Sequence, residues 1–468
     1  MTVEGTIAAV ATGAGGALSV IRISGREAIA VCDAVFRAAS GRKLSDQSGY
    51  TLHFGRIVAP ETEKTIDEVL VSLFRAPRSY TGEDMAEISC HGSAYIRQEI
   101  MKRLIEAGAR QAGPGEFTVR AFLNGKIDLS QAEAVADMIA SSDRATHAMA
   151  LNQMRGGYSQ AFDTLREELL HLVSLLELEL DFSEEDVTFA DRGQLDALLG
   201  RIAGEVGTLL RSFSLGNAVK TGIGVAIVGP PNVGKSTLLN ALLREDRAMV
   251  SEIAGTTRDV IEETVCIGGV HFRFIDTAGI RATDDTLEQM GIRRTFSSIG
   301  KARIILLLAD GSEERGTLCR RIEESLSDIA LRTGQRLYIL LNKTDKTASG
   351  DPESLADSIG SRFGHSALAI SAKENRNLDR LTDLLSRSID TDPLYDGTPV
   401  VSNTRHYEAL LHASEALARA RQGLHAALPS DLLSQDIREV LYHLETITGK
   451  IATDDILGEI FSKFCIGK

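Results

Sequence analysis

The chain has 468 residues, 43% hydrophobic and 25% charged, an ordinary composition for a soluble globular protein and a length too great for one core. Its net charge of −14 opposes bulk non-specific binding to nucleic acid, so any RNA contact has to use a local basic patch. Five scattered cysteines (Cys32, Cys90, Cys266, Cys319, Cys465) form no C-x-x-C, no apolar window is long enough for a membrane span, and no basic start precedes the first apolar run. Reduced thiols and a cytoplasmic location are expected, with no disulfide framework, zinc cage or signal peptide.

Residues 1–119 mix short β-like runs with Gly and Pro punctuation: "TIAAVAT", "ALSVIRIS", "YTLHFGRIV" and "EVLVSLF", with one helix-like stretch at "AYIRQEIMKRLIEAGA". They predict a small α+β domain. In "ATGAGGALSV", Gly13 and Gly15 suggest a dinucleotide fingerprint, but Leu18 takes the third glycine's place, so the stretch reads as a turn. From 120 to 220 the period becomes helical, with Phe162, Leu165, Leu169, Leu172, Leu176 and Leu180 three and four apart. The same texture returns over 386–468. Leu432, Leu433, Ile437, Val440, Leu441, Leu444 and Ile447 form one stripe, and Ile456, Leu457, Ile460, Phe461 and Phe464 another. Each half has a stripe to bury, so one helical domain interrupted by an insertion is expected. Within 221–385, strand-length runs ("IGVAIVG", "VHFRFID", "RIILLLAD", "RLYILLN", "ALAIS") alternate mostly with helical segments, predicting a doubly wound α/β unit. Gly268-Gly269 in "VCIGGVHF" predicts one hairpin within it.

That insertion carries the clearest chemistry. "GPPNVGKST" (Gly229–Thr237) fits G-x-x-x-x-G-K-S/T between an apolar strand and a helical run. Its backbone N–H groups suit a phosphate at a helix N-terminus, so Asn232, Val233, Gly234, Lys235, Ser236 and Thr237 are candidate phosphate contacts. Lys235 is expected at the terminal phosphates and Ser236 on Mg²⁺. "DTAG" (Asp276, Thr277, Ala278, Gly279) suits Mg²⁺ through water and the γ-phosphate. In "NKTD", Asn342 and Lys343 precede Asp345, whose carboxylate can accept from guanine N1–H and its amine, which adenine cannot supply. "SAK" (Ser371, Ala372, Lys373) fits the loop over the base. Four motifs in this order indicate GTP. Ile280 stands where Ras-like enzymes keep a water-orienting Gln, so another group must orient the water.

Together with "AGTTRD", "DTAGIR", "YTGEDMAEISCHG", "GPGEFTVRAFLNGKIDLSQAEAVADMI" and "FCIGK", these residues resemble the MnmE (TrmE) family of tRNA-modification GTPases, of the TrmE-Era-like group, along the whole chain. The resemblance implies a K⁺-dependent GTPase whose G domains meet within a homodimer. K⁺ would be held by Asn232, Ser251, Ile253 and Thr256, with the loop Ser251, Glu252, Ile253, Ala254, Gly255, Thr256 and Thr257 against the nucleotide. Ser251 replaces the threonine of some members and keeps the hydroxyl. Thr257 would join Ser236 on Mg²⁺, and Glu288 would position the attacking water. The first domain would bind 5-formyl- or 5,10-methylene-tetrahydrofolate through Arg22, Glu87, Lys126 and Lys468, and would dimerise. The partner would be the flavoprotein MnmG, in a heterotetramer or larger complex that holds FAD and NADH. Together they would place an aminomethyl or carboxymethylaminomethyl group on C5 of the wobble uridine of certain tRNAs.

The tail "FSKFCIGK" fits the same picture. If Phe461 and Phe464 bury in the helical domain, they deliver Cys465 to the folate pocket as nucleophile, positioning group or packing residue. Two other classes fit parts of the sequence: a ribosome-assembly GTPase acting as a binding switch, and a folate-dependent transferase with a regulatory GTPase insert and no RNA partner.

Overall fold

A computed structural model describes residues 4–59, 61–181, 192–247, 263–275, 299–346, 351–462, 464 and 467. The chain forms two compact units, one of Met1–Ala140, Leu151–Val206 and Ala409–Lys468, the other of Ser141–Ala150 and Gly207–Glu408. Its architecture is multi-domain: an N-terminal α+β part, a helical part, and an inserted P-loop α/β part that interrupts it.

In the first unit, β1 (Ile7–Val10), β2 (Leu18–Ser24), β3 (Phe36–Ala38), β4 (Thr51–Ala59), β5 (Lys64–Phe74), β6 (Met85–His91) and β7 (Arg110–Gln111) form a sheet ordered β3-β4-β5-β6-β2-β1-β7. Strand alternation decides its faces. Ile21 and Ile23 of β2, Val69, Val71 and Leu73 of β5 and Ile88 of β6 share a core with Val31 and Val35 of α1 (Ala28–Val35) and Ile100 and Leu104 of α2 (Ala94–Glu106). Elsewhere on the sheet Leu52, Phe54 and Leu70 are 61%, 54% and 40% exposed, and the register sets Phe54 beside Leu70. The sequence reading expected one helix before residue 119. The structure adds α1 and α3 (Glu116–Leu123), each eight residues long and too short for a helical period to stand out from a strand run.

Helix α3 is pinned by a buried guanidinium. Arg120 is 1% exposed; its Nη1 donates to Glu83 Oε2 at 2.9 Å, and its Nη2 to the Gly5 carbonyl at 2.8 Å and Glu116 Oε1 at 3.1 Å. Arg110 and the Gly113 N–H also donate to Glu116. Burial pushes the Glu116 carboxyl up, but Arg110, Gly113 and Arg120 outweigh it and hold the group below the usual carboxylate range.

The helical part continues with α4 (Leu129–Ala140), α5 (Arg144–Met154), α6 (Gly157–Asp181) and α7 (Arg192–Thr221). Phe162, Leu165, Leu169, Leu172 and Leu176 form the expected buried stripe of α6. Beyond the insertion, the late segment Ser430–Thr448 lies along α6 and buries Leu433, Ile437, Val440, Leu441, Leu444 and Ile447. Leu432, expected in that stripe, is 46% exposed. It neighbours Leu433 in sequence, and a step of about 100° per residue turns it off the buried face.

In the second unit, β8 (Ile223–Val228), β9 (Glu263–Ile267), β10 (Val270–Phe274), β11 (Ile304–Asp310), β12 (Arg336–Asn342) and β13 (Ser366–Ala369) form a sheet ordered β13-β12-β11-β8-β10-β9. Its pairs are parallel except β9–β10, where the expected hairpin sets Ile267 against Val270. Alternate residues feed two cores: Ile304, Leu306 and Leu308 of β11 enter one, Ile305, Leu307 and Ala309 the other. Helices cover both faces, as an all-apolar parallel strand requires. They include α8 (Lys235–Arg247), α9 (Arg315–Ser327), α10 (Pro352–Phe363) and α11 (Leu378–Arg387). Helix α12 (Thr404–His425) returns the chain to the first unit, which ends with α13 (Ser430–Thr448) and α14 (Asp454–Ser462). Among the described residues no helix is long and apolar enough to cross a membrane.

Arg120→Ala strips two carboxylates of their buried partner and is expected to cost about 3–5 kcal/mol, the range for a broken buried pair, read from chemical denaturation. The Glu116 contribution is complete above the ordinary carboxylate range and is lost as pH falls through its lowered pKa. Glu116→Gln should therefore flatten the acid limb of the stability curve, and an unchanged limb would remove Glu116 from it.

Candidate functional site

Strand β8 is buried throughout and ends at Val228, so the loop Gly229–Gly234 leaves the carboxyl end of the sheet and runs into α8. Open α/β sheets keep ligands at that end. Lys235, the first residue of α8, donates through Nζ to the carbonyls of Gly229 at 2.7 Å and Pro230 at 2.9 Å. Its amine is thereby held over the loop it is expected to share with phosphate. Burial lowers its pKa from the ordinary lysine value, a shift that an incoming anion opposes. Asn232 is exposed, with φ +60°, and Ser236 follows Lys235 in the first helical turn.

Asn342 joins this loop to two other motifs. It ends β12, is 3% exposed, donates through Nδ2 to the Val233 carbonyl at 2.8 Å and accepts from the Ala372 N–H at 2.9 Å. The approach is close enough that a Cβ on Gly234 would lie 2.3 Å from Asn342 Nδ2, so glycine is required there. Ser371, fully buried, donates its hydroxyl to Asp345 Oδ1 at 2.6 Å. That bond is the main cause holding the exposed Asp345 carboxyl below the usual range, so it stands ionised as an acceptor. Lys343 pairs with Asp310 Oδ2 at 2.7 Å. Burial would raise the Asp310 carboxyl, but Lys343 and Ser312 together hold it low. Sequence reading missed Asp310, although its place at the end of "LLLAD" is the signal that could have found it.

The remaining expected nucleotide and metal residues, Ser251, Glu252, Ile253, Ala254, Gly255, Thr256, Thr257, Asp276, Thr277, Ala278, Gly279 and Glu288, lie outside the described residues. Among the described residues no cluster of three or more His, Cys, Asp or Glu is arranged for a metal ion. The hydroxyl of Ser236 beside Lys235 fits a Mg²⁺–phosphate site, and the Asn232 side-chain oxygen is of the kind K⁺ takes.

In the first unit, Arg22 and Glu87 face each other across β2 and β6, and Arg22 Nε donates to Glu87 Oε1 at 2.8 Å. The guanidinium carbon lies 5.4 Å from the Tyr80 ring centre and 5.6 Å from that of Phe117, so two aromatic rings orient it. Tyr80 shares a 2.8 Å hydrogen bond with the Thr118 hydroxyl, and burial raises its pKa. Lys126 donates to the Pro77 carbonyl at 3.1 Å, its stem running beside Gly82. Arg22 and Glu87 are thus partners of each other, while Lys126 is tied to the loop that carries Tyr80. Tyr80, Phe117 and Arg120 were not singled out from sequence; the Glu116–Arg120 spacing of four was the available signal.

Cys465 and Lys468 lie outside the described residues, but their neighbours Phe464 and Gly467 are described. Phe461 and Phe464 share a small core with Val119, Leu129 and Ala132. Gly467, at φ +98°, lies so near β1 that a Cβ would come within 2.3 Å of the Val10 carbonyl oxygen. Strand β1 pairs with β2, setting Ala9 opposite Arg22.

Asn342→Ala leaves the Val233 carbonyl and the Ala372 N–H without this partner. Buried unmade bonds cost about 1–3 kcal/mol each, so the thermal midpoint should fall by several degrees, and an unchanged midpoint would show that the bridge contributes nothing.

The model of the GTP-binding protein TrmE N-terminus matches residues 6–126, and that of the MnmE helical domain matches residues 129–465. The tRNA modification GTPase MnmE of Bacteroides fragilis is 51% identical, covering 99% of this chain and 100% of its own. That of Christiangramia forsetii is 50% identical over 100% of both chains. A solved structure of Era with MgGDPNP and a piece of 16S ribosomal RNA is 30% identical over 41% of this chain and 65% of that one. Its TM-score of 0.29 is too low to carry structural weight. Matched along nearly its whole length, the chain belongs to the MnmE (TrmE) family of tRNA modification GTPases.

Proposed function

We propose that the chain binds and hydrolyses GTP, and that with a flavoprotein of the MnmG kind it places an aminomethyl or carboxymethylaminomethyl group on C5 of the wobble uridine of certain tRNAs. The observation that carries the reading is Asn342, whose amide binds the phosphate loop on one side and the Ser371–Lys373 loop on the other. It joins the phosphate loop to the loop whose Ser371 holds the ionised Asp345, and Asp345 selects guanine there. Ser236 and Thr257 hold Mg²⁺, while Glu288 orients the attacking water. K⁺ held by Asn232, Ser251, Ile253 and Thr256 supplies the charge that an arginine finger supplies elsewhere.

The first domain, residues 1–119, takes the reduced folate that donates the one-carbon unit, and the helical segments 120–220 and 386–468 flank the G domain at 221–385. Arg22 and Lys126 suit the folate carboxylates, and Glu87 the donor edge of the pterin. The exposed apolar residues Leu52, Phe54 and Leu70 support a homodimer through the N-terminal sheet. The seating of Phe464 in the small core and of Gly467 against β1 supports a working role for Cys465 and Lys468. Flavin and reductant belong to the partner.

GTP turnover should be high in K⁺ and fall sharply in Na⁺ at fixed ionic strength, and equal rates in the two salts would sink the K⁺ assignment. Cys465→Ser exchanges a good nucleophile for a poor one. It should abolish wobble-uridine modification, read by mass spectrometry of tRNA nucleosides from a complemented deletion strain, while sparing GTP hydrolysis. Modification at the parental level would make the thiol a packing residue.

A further inference from the structure

On a chain of net charge −14, one end of the second unit's sheet gathers cations. Arg303 immediately precedes β11 and Arg336 opens β12; these strands are parallel neighbours, and the Arg336 N–H donates to the Arg303 carbonyl at 2.9 Å. Lys301 and Arg332 sit on the segments that lead into the two strands. Lys301, Arg332 and Arg336 are exposed and Arg303 is half-buried.

The segments are sewn together rather than loosely adjacent. Gln335 donates through Nε2 to the carbonyls of Ile299 at 2.7 Å and Ala302 at 2.6 Å, and accepts from the Arg332 N–H at 2.8 Å. Arg332 donates to the Gly300 carbonyl at 3.2 Å, and Arg303 to the Ser214 carbonyl and hydroxyl, both at 2.9 Å. Among the described residues none of the four cations makes an ion pair. Burial is the main cause that lowers the pKa of Arg303, and crowding by the like charge of Arg336 is the lesser one. Such crowding destabilises a fold unless an anion joins it.

Resting on the tRNA reading above, we infer that Lys301, Arg303, Arg332 and Arg336 form a docking surface for the sugar–phosphate backbone of tRNA. Cations gathered on segments that main-chain bonds hold together match a polyanion, and they supply the local basic patch that the net charge demands. The backbone contacts position the RNA and carry no sequence information. The surface lies at the amino end of the strands, about 20 Å along β11 from the nucleotide loop, so it is separate from the GTP pocket.

The test is binding of bulk tRNA to the full-length protein across a salt series, with the triple variant Lys301→Gln, Arg332→Gln, Arg336→Gln beside the parent. Arg303 is left intact because its bonds to Ser214 serve the fold. The plot of log affinity against log salt should become shallower by about one for each cation removed, and affinity near 0.15 M salt should fall about tenfold or more. GTP hydrolysis without tRNA should match the parent, which also shows that the variant is folded. A parental salt slope in the variant would overturn the inference, as would loss of the flavoprotein partner with tRNA binding intact. A parent that binds no tRNA would instead overturn the tRNA reading itself.

Discussion

The first unit depends on a charge taken out of water. Arg120 sits inside α3 with Glu83, Glu116 and the Gly5 carbonyl around it, and each partner comes from a different stretch of chain. An eight-residue helix has little stability of its own, so tertiary contacts must hold it. Five consecutive residues do so in five directions. Glu116 meets Arg110, Phe117 flanks Arg22, Thr118 meets Tyr80, Val119 joins the phenylalanine core of the tail, and Arg120 closes the network. The polar cluster around Arg22 and the seat of Phe461 and Phe464 meet on one short helix.

The second unit solves a different problem. A phosphate loop has many backbone donors that must point inward before a ligand arrives, which costs conformational entropy unless something fixes them. Asn342 and Lys235 do the fixing by bonding loop carbonyls, and Ser371 aligns Asp345. Preorganisation of this kind lowers the cost of binding. It comes from residues at the start of α8, the end of β12 and the loop after β13, all at the carboxyl end of the parallel strands.

Much of this was legible in the sequence because it rests on local pattern. The phosphate loop, the Gly268-Gly269 hairpin and the α6 stripe each follow from spacing within a dozen or so residues. What was illegible needs contacts between distant residues. Leu432 and Leu433 are both leucines, and only the partner helix decides which one faces in. Arg120 looks like any surface arginine until Glu83 and Gly5 are brought to it. Asp310 reads as a strand-end acid, and its bond to Lys343 requires β11 and β12 to lie side by side. Arg303, Arg332 and Arg336 look like scattered charges in a chain with more acids than bases, and only the parallel pairing of β11 with β12 gathers them.

The seat of Gly467 against Val10 makes the N-terminal strand wait for the far end of its own chain. On a ribosome adding about 5–20 residues per second, Gly467 is made roughly 20–90 s after Val10. Through that interval the Val10 end of β1 lacks its contact with Gly467, although β2 and β7 on either side of the strand have had time to pair. Closing so long a loop is an entropic cost that the early contacts of the sheet do not share. The contact of Gly467 with β1, one register step from the strand pair that carries Arg22, therefore forms after the sheet itself.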